Sequence, residues 1–279
     1  MKSPARWFSL LSLAALVLAT AAPIHADELA TVKQKGTLLI GILGTDEPNS
    51  FVDPATRGYV GYEIDLGNAL ARRLGVKAEY KQLAVAARIP ELQQGRVDIL
   101  AASLTHNKER EALIDFSLTT LVTGQRIMVR KASGITALAQ LANKKVVTVK
   151  GGTQETNARK RIPGVEVVTF ETAQQSFQAF RQGKGLGYVN DEVSILADYA
   201  KLGADQANYL LLPENLSVEP LALGLRKGEP ALKNAIDNAL RDIEKTGEAE
   251  QIWRRWFGPD SRLKIPTRNF KFDTDKVAE

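Results

Sequence analysis

The sequence predicts an α/β protein built from two similar lobes, and three observations carry that reading. The first is an internal repeat. Gly75-Val76 opens an alternating run, Lys77 to Gln82; a helix-like segment then ends at Leu92-Gln93-Gln94-Gly95, and an apolar strand runs from Val97 to Ala102. Further on, Gly164-Val165 opens Glu166 to Phe170, Phe180-Arg181-Gln182-Gly183 closes a second helix-like segment, and Leu186 to Asn190 reads as a strand. Each copy is strand, helix with a glycine C-cap, strand, at nearly equal spacing. The second is the alternation of strand and helix patterns elsewhere in the chain, which predicts largely parallel sheets. The third is composition. The 279 residues are 44% hydrophobic and contain no cysteine, so the core alone must stabilise the fold, and a chain of this length can build one. Two α/β lobes leave a cleft between them, where small ligands usually bind.

Taken in order, the elements begin with an export signal. Lys2 and Arg6 precede an apolar run from Trp7 to Ala22, and Ala26 offers a small residue for cleavage before Asp27. Residues 1–26 read as a secretory signal peptide; the apolar run is too short and wrongly flanked for a membrane anchor, and without cysteine there is no lipoprotein route. Thr37 to Ile42 is the first strand, and Gly44 to Ser50 is a loop rich in turn formers. Tyr62 to Leu74 is a helix with Leu66, Leu70 and Leu74 on one face, ended by Gly75. Ile127–Val129 and Val146–Val149 are further strands. The pattern over 230–246 starts with Pro230 in the first turn, repeats Leu232, Ala235, Ile236, Ala239, Leu240 and Ile243 on one face, and closes at Gly247. Glu248 to Phe257 is a last helix whose Trp253, Trp256 and Phe257 are expected in the core, with Gly258-Pro259 stopping it. Residues 260–279 are polar and irregular and are expected to form a tail on the surface.

The net charge of +5 is mild, part of it leaves with the signal, and basic residues are interspersed with acidic ones, so no nucleic-acid partner is expected. His25 also leaves with the signal, which makes His106 the only histidine of the mature chain. Ser-His-Asp and Cys-His arrangements then rest on His106 alone, and no His/Cys metal cluster forms. No catalytic residue, metal or cofactor is expected, and His106 is read as a solvated loop side chain.

Four motifs point to a family. Gly61-Tyr62-Glu63-Ile64-Asp65-Leu66 resembles the signature of the family 3 solute-binding proteins, periplasmic receptors that serve polar amino-acid ABC importers. Ala102-Ser103-Leu104-Thr105, then Arg110, then Ile114-Asp115-Phe116-Ser117 resembles that family's first-lobe binding stretch. Gly151-Gly152-Thr153-Gln154-Glu155-Thr156 resembles its second-lobe turn, and Asn190-Asp191-Glu192 its amine-binding position. The resemblance runs in family order from about residue 35 to 257. It implies a two-lobe type II, Venus-flytrap fold. Lobe I would take 27–121 and 219–279, lobe II 122–218, with crossover segments near Thr119–Gly124 and Leu216–Leu221. It further implies a monomer in the periplasm that binds an amino acid and hands it to an inner-membrane ABC permease.

The residues support the same chemistry on their own terms. A free amino acid carries a carboxylate and an ammonium on one carbon. Arg110 clamps a carboxylate with two parallel hydrogen bonds, which lysine cannot do, and it follows the end of the 97–102 strand, where ligands of open α/β sheets bind. Backbone N–H groups near Thr105, and near Gly152 and Thr153, each ahead of a helix, add donors. Ser103 offers a hydroxyl and a carbonyl. Asp191 lies past the end of the matching strand in the second lobe, placed for the ammonium. The bland alternatives are a solvated helix arginine for Arg110, a helix cap for Asp191, an N-cap for Thr105 and a plain turn for Gly151-Gly152.

Two positions bear on the side chain, and they disagree. Arg88 matches a place where glutamate/aspartate receptors of the family put an arginine, which favours a polar or acidic substrate. Asp46 and Glu47 lie in the first binding loop, where basic-amino-acid receptors place an acid. In the family an aromatic covers the ligand from the loop before Gly61; Phe51 is the candidate, with a core position under the loop as its alternative. Two further classes stay in view. A periplasmic cyclohexadienyl dehydratase on the same fold would need Glu192, Glu63 or His106 as its general acid. A sensing subunit would need an output domain recruited from a partner.

Overall fold

The structure is a computed structural model that describes residues 27–278. The chain runs α1 (Glu28–Lys35), β1 (Thr37–Ile42), the short strands β2 (Thr45–Asp46), β3 (Ser50–Val52) and β4 (Tyr59–Val60), α2 (Tyr62–Leu74), β5 (Lys77–Gln82), α3 (Arg88–Gln93), β6 (Ile99–Leu100), the one-turn α4 (Lys108–Glu111) and β7 (Asp115–Arg130). It continues through β8 (Lys145–Val149), α5 (Thr153–Arg161), β9 (Glu166–Phe170), α6 (Ala173–Arg181), β10 (Gly187–Asp191), α7 (Glu192–Lys201), β11 (Tyr209–Leu211), β12 (Ser217–Leu225), α8 (Pro230–Lys245) and α9 (Glu248–Trp256). The expected signal peptide lies outside the described residues.

The repeat becomes two units of identical topology. β1 lies between β5 and β6 in the first, β8 lies between β9 and β10 in the second, and every pairing within a unit is parallel. Each is a β-α-β-α-β run whose crossovers bury helices against the sheet. The expectation of largely parallel sheets holds within each unit, but the units share one mixed sheet. β7, 16 residues long, fuses them. Its first part pairs antiparallel with β12, its last part with β10 and β11, giving the order β5-β1-β6-β12-β7-β10-β8-β9. β7 and β12 are therefore the two connections between lobes, and they run side by side from Gln125↔Ser217 to Asp115↔Leu225. β2, β3 and β4 form a separate small sheet inserted between β1 and α2.

Hydrophobic patterning places the cores. α8 buries Leu232, Ile236, Leu240 and Ile243, the face its spacing predicts, against Leu38, Ile40, Leu66 and Leu70 of lobe I. Each fully buried Leu or Ile contributes on the order of 1.5–3 kcal/mol. Trp253 and Phe257 join this core as expected. Lobe II has its own clusters on the two faces of its sheet, one around Ile127, Val146 and Val189 and one around Phe177, Phe180 and Tyr188. At Gly61, the N-cap of α2, φ is 138° and an added Cβ would meet the carbonyl oxygen of Asn49 at 2.2 Å, so only glycine fits under the inserted loop.

The residues after 259 correct the expectation of a surface tail. Phe270 and Phe272 are buried in the lobe I core. Arg268 lies over both rings, at 4.6 and 4.8 Å from their centroids, and pairs with Glu244 through two hydrogen bonds of 3.0 and 2.5 Å. The Thr119 N–H donates to the Thr274 carbonyl (2.8 Å), and the Ala278 N–H to the His106 carbonyl (2.8 Å). The segment is irregular, as its composition predicts, yet it is strapped to lobe I. His106 is corrected with it. The ring is 2% exposed, stacks on Phe116 at 4.2 Å and sits between Glu111 (2.8 Å) and Asp275 (3.1 Å).

Candidate functional site

A cavity of about 200 Å³ lies in the cleft, closed from the lobe I side by the loops after β1, β5 and β6 and from the lobe II side by the loops after β8 and β9 and the end of β10. It is small against the roughly 300–1,000 Å³ of drug-sized pockets, a size suited to one amino acid. Arg110, Asp191, Ser103, Thr105, Gly152, Thr153, Arg88 and Asp46 all line it. Leu43, Leu83, Val85 and Val149 supply apolar wall. Phe51 does not line it: it packs edge-on against Trp256, ring centroids 5.9 Å apart, and faces a different groove. The residue under the loop is thus a packing residue, and the cavity has no aromatic cover among the described residues.

The two arginines differ sharply. Arg88, at the start of α3, is 3% exposed, and carbonyls take its donors: Nε to Val85 (2.8 Å), Nη1 to Ala102 (2.7 Å) and Ser103 (2.9 Å), and Nη2 across the cleft to Gly151 (3.3 Å). Burial, then the neighbouring charge of Arg110, pulls its pKa down to about 9, which still leaves it cationic at neutral pH. Arg110, on α4, makes one guanidinium hydrogen bond among the described residues, from Nη1 to the Thr105 carbonyl (2.9 Å). The Asn107 side chain caps the Arg110 backbone N–H (2.9 Å) and so fixes the turn that presents the side chain. Arg110 is also shifted down by burial. Arg110 is itself part of the cavity lining.

The acids are deeply placed. Asp191 ends β10 and stands at the N-cap position of α7, but its side chain makes no capping bond. Oδ1 instead accepts from Gln154 Nε2 (3.1 Å). Burial first, then the nearby charges of Glu219 and Asp46, pushes its pKa up to about 8. Asp46 is 6% exposed and accepts three hydrogen bonds, from Ser103 Oγ (2.7 Å), Asn49 Nδ2 (3.0 Å) and Ser194 Oγ (2.7 Å). Ser103 holds a left-handed backbone conformation, φ 48°, with its N–H donating to Glu63 Oε1 (2.6 Å). Positive φ in a non-glycine residue costs of order 1–3 kcal/mol and persists where the surroundings dictate it. Burial pushes Glu63 up to about 8 as well.

Sequence reasoning missed Glu219. It lies on crossing strand β12, 1% exposed, and joins both lobes: Oε2 accepts from Thr105 Oγ1 (2.6 Å) and Thr153 Oγ1 (3.0 Å), Oε1 from Asn157 Nδ2 (2.9 Å) and Ser217 Oγ (2.5 Å). Gln125 on β7 completes the network, donating to Thr153 Oγ1 (2.8 Å) and accepting from Asn157 Nδ2 (2.8 Å). The hydroxyls of Thr105 and Thr153 are thus spent on the hinge. A lone acid before Pro220 in a crossing strand whose remaining residues, apart from Ser217 at its start, are apolar was the available signal.

The arrangement resembles known proteins along most of its length. The model of the bacterial extracellular solute-binding proteins, family 3, matches residues 38–259. The chain is 28% identical over 238 residues to the ABC transporter glutamine-binding protein GlnH of Bacillus subtilis, covering 84% of this chain and 86% of the relative. It is 29% identical over 297 aligned positions to the L-glutamate/L-aspartate-binding protein of Pseudomonas aeruginosa, covering 97% and 98%. Among solved structures, an ancestral arginine-binding protein bound to arginine superposes with a TM-score of 0.74 at 34% identity, covering 80% of this chain and 99% of that one. With the cleft, its charged lining and a family match over nearly the whole described chain, the protein belongs to the bacterial extracellular solute-binding proteins of family 3.

Proposed function

We propose that the chain is the periplasmic amino-acid-binding component of an ABC importer, exported by residues 1–26, acting as a monomer and delivering a polar amino acid to an inner-membrane permease. The observation that carries the reading is the pairing of Arg110 and Asp191. A cation with unused directional donors comes from one lobe and a buried carboxylate from the other. Together they match the carboxylate and ammonium of one zwitterion. Arg110, Ser103, Thr105 and Arg88 act from lobe I, and Asp191, Gly152 and Thr153 from lobe II. Lobe I takes 27–121 and 219–279 and lobe II 122–218, so both boundaries fall within β7 and β12. Ligand that touches both lobes favours the closed form, which is hinge closure by differential contacts.

An enzymatic reading has little support in the site. Glu63 is held by the Ser103 N–H, Glu192 pairs with Arg126 (3.1 Å), and His106 is buried between Glu111 and Asp275; none of the three lines the cavity.

The test is a thermal-shift screen of the mature protein against the twenty amino acids, repeated with Arg110→Ala. A ligand at a hundred times its Kd stabilises by about 2.7 kcal/mol. Truncating a directional charge at a buried contact costs on the order of 2–5 kcal/mol, so the variant should lose the shift while keeping its own unfolding transition. An Arg110→Ala protein that calorimetry shows to bind with parent affinity overturns the site.

A further inference from the structure

A second set of contacts crosses the cleft from the rim of the binding cavity, at Asp46, outward to Glu47. Asp46 and Glu47 stand side by side where the inserted loop leaves β2, and both reach α7 of the other lobe. Asp46 Oδ1 accepts from Ser194 Oγ (2.7 Å), and Glu47 Oε2 lies 3.2 Å from Lys201 Nζ. Ser194 and Lys201 are seven positions apart, which places them on one helix face. Glu47 and Lys201 are partly sheltered, with side chains 20% and 32% exposed, and neither lines the cavity.

Each also has a partner on its own lobe. Glu47 Oε1 meets Arg262 Nη1 (3.4 Å), and Lys201 Nζ meets Asp198 Oδ1 (3.1 Å). Asp198 in turn accepts from the buried Tyr188 hydroxyl (2.9 Å), which fixes the acid that orients Lys201. If the lobes part, the Glu47–Lys201 contact breaks but neither charge is left alone. A contact of this kind stabilises closure without penalising the open form.

We propose that Glu47 and Lys201 form an interlobe latch, positioning residues that set how far the lobes close rather than contacts to the ligand. The proposal rests on the hinge reading above. It also assigns the first-loop acids: Asp46 already accepts three protein donors, and Glu47 is held between Lys201 and Arg262, so the pair serves closure and is not a seat for a cationic ligand side chain.

The chain has no cysteine, so spin labels can be placed at will on the full mature protein. Ala55→Cys and Gln182→Cys, both exposed and on opposite lobes, report the interlobe distance by pulsed electron spin resonance without added amino acid. Partly exposed ion pairs are worth up to about 1 kcal/mol, so Glu47→Gln and Lys201→Gln should each lower the closed-to-open ratio about threefold to fivefold. The double variant should fall no further, Lys201→Arg should keep the parent ratio, and about 1 M salt, where screening is short-ranged, should bring the parent to the level of Glu47→Gln. Two distances whose populations ignore Glu47→Gln, or losses that add in the double variant, overturn the latch and leave the hinge standing. A single distance shared by every variant overturns both.

Discussion

The two lobes share one topology and divide one task, and where they depart from each other is more instructive than where they agree. In each, a parallel unit aims the ends of its strands at the cleft. Ser103 follows β6 in the first unit and Asp191 ends β10 in the second, so equivalent strand ends carry a neutral hydroxyl in one lobe and a carboxylate in the other. The link from the first strand to its helix differs most. In lobe II β8 passes to α5 through three residues, whereas in lobe I a three-stranded insertion separates β1 from α2. That insertion carries Asp46 and Glu47 across the cleft. Lobe I also carries α8, α9 and the strapped C-terminal segment, none of which has a counterpart in lobe II. The repeat supplies a frame with two facing edges, and the additions to lobe I supply closure and bulk.

The largest effect that would break this contrast concerns the strap. Phe272 is fully buried in the lobe I core, and the Phe272 N–H donates to Glu244 Oε2 (2.9 Å). Phe272→Ala should cost about 3–5 kcal/mol, with each kcal/mol lowering the Tm by roughly 2–4 °C in a protein of this size. Calorimetry of the variant checks it. A loss under about 1 kcal/mol would mean that residues after 259 decorate lobe I rather than complete it.

Much of this fold was legible because its signals are local. The apolar strand over Thr37–Ile42, the leucine face of Tyr62–Leu74 and the Pro230 and Gly247 ends of the longest helix each sit within a few turns of chain, and the observed elements follow them. What was misread depends on distant chain. Phe270 and Phe272 are aromatic residues in a polar, aperiodic stretch, and only the lobe I surface buries them. His106 sits among charged neighbours and is covered by Phe116 and the strap. Phe51 was read through a family habit and is claimed by Trp256, far away in sequence. In the site, the ligand chemistry read into Arg110 and Asp191 picked out two residues that the fold brings to one cavity. The role of Arg88 was not legible, because its four acceptor carbonyls come from Val85, Ala102, Ser103 and Gly151, segments that only folding brings together.

The second way to sharpen the contrast is pH. Ser103 does not titrate, whereas Asp191 at the equivalent strand end has its pKa raised to about 8, by burial first. The folded free protein therefore holds a proton that the unfolded chain releases near the ordinary aspartate value. Between about pH 4 and 8 the native state binds more protons than the unfolded one, so this group's contribution lowers stability as pH rises through that window. Glu63, also at about 8, acts in the same direction. Asp191→Asn should flatten the slope and raise the stability of the free protein at pH 8, a trade of function against stability. Ligand ammonium requires the carboxylate form. At pH 6 binding should release close to one proton, falling to about half a proton at pH 8, and affinity should rise by up to tenfold per unit below that pH before levelling. Calorimetry in two buffers of different ionisation enthalpy measures this; proton uptake, or no exchange at pH 6, would show that Asp191 is not the ammonium partner.

The smallest expected effect separates the two arginines and, through them, the substrate. Arg110 makes a single guanidinium hydrogen bond among the described residues, while Arg88 spends most of its donors on carbonyls, one of them in lobe II. Arg88 therefore acts on the ligand chiefly through its charge, which repels a cationic side chain and tolerates an amide or carboxylate. Competition on the parent protein should favour glutamine or glutamate over lysine and arginine. Arg88→Met removes both the charge and the Gly151 bond, and a single hydrogen bond is worth about 0.5–1.5 kcal/mol. All ligands should then bind roughly threefold to tenfold more weakly, and the gap between glutamine and lysine should narrow. Tight binding of lysine or arginine by the parent would overturn the preference and return Asp46 to the role of a ligand-side-chain contact, since it is the cavity acid nearest the first loop. A variant that weakens glutamate far more than glutamine would place the ligand carboxylate on Arg88 directly, and the remaining Nη2 donor would then be its contact.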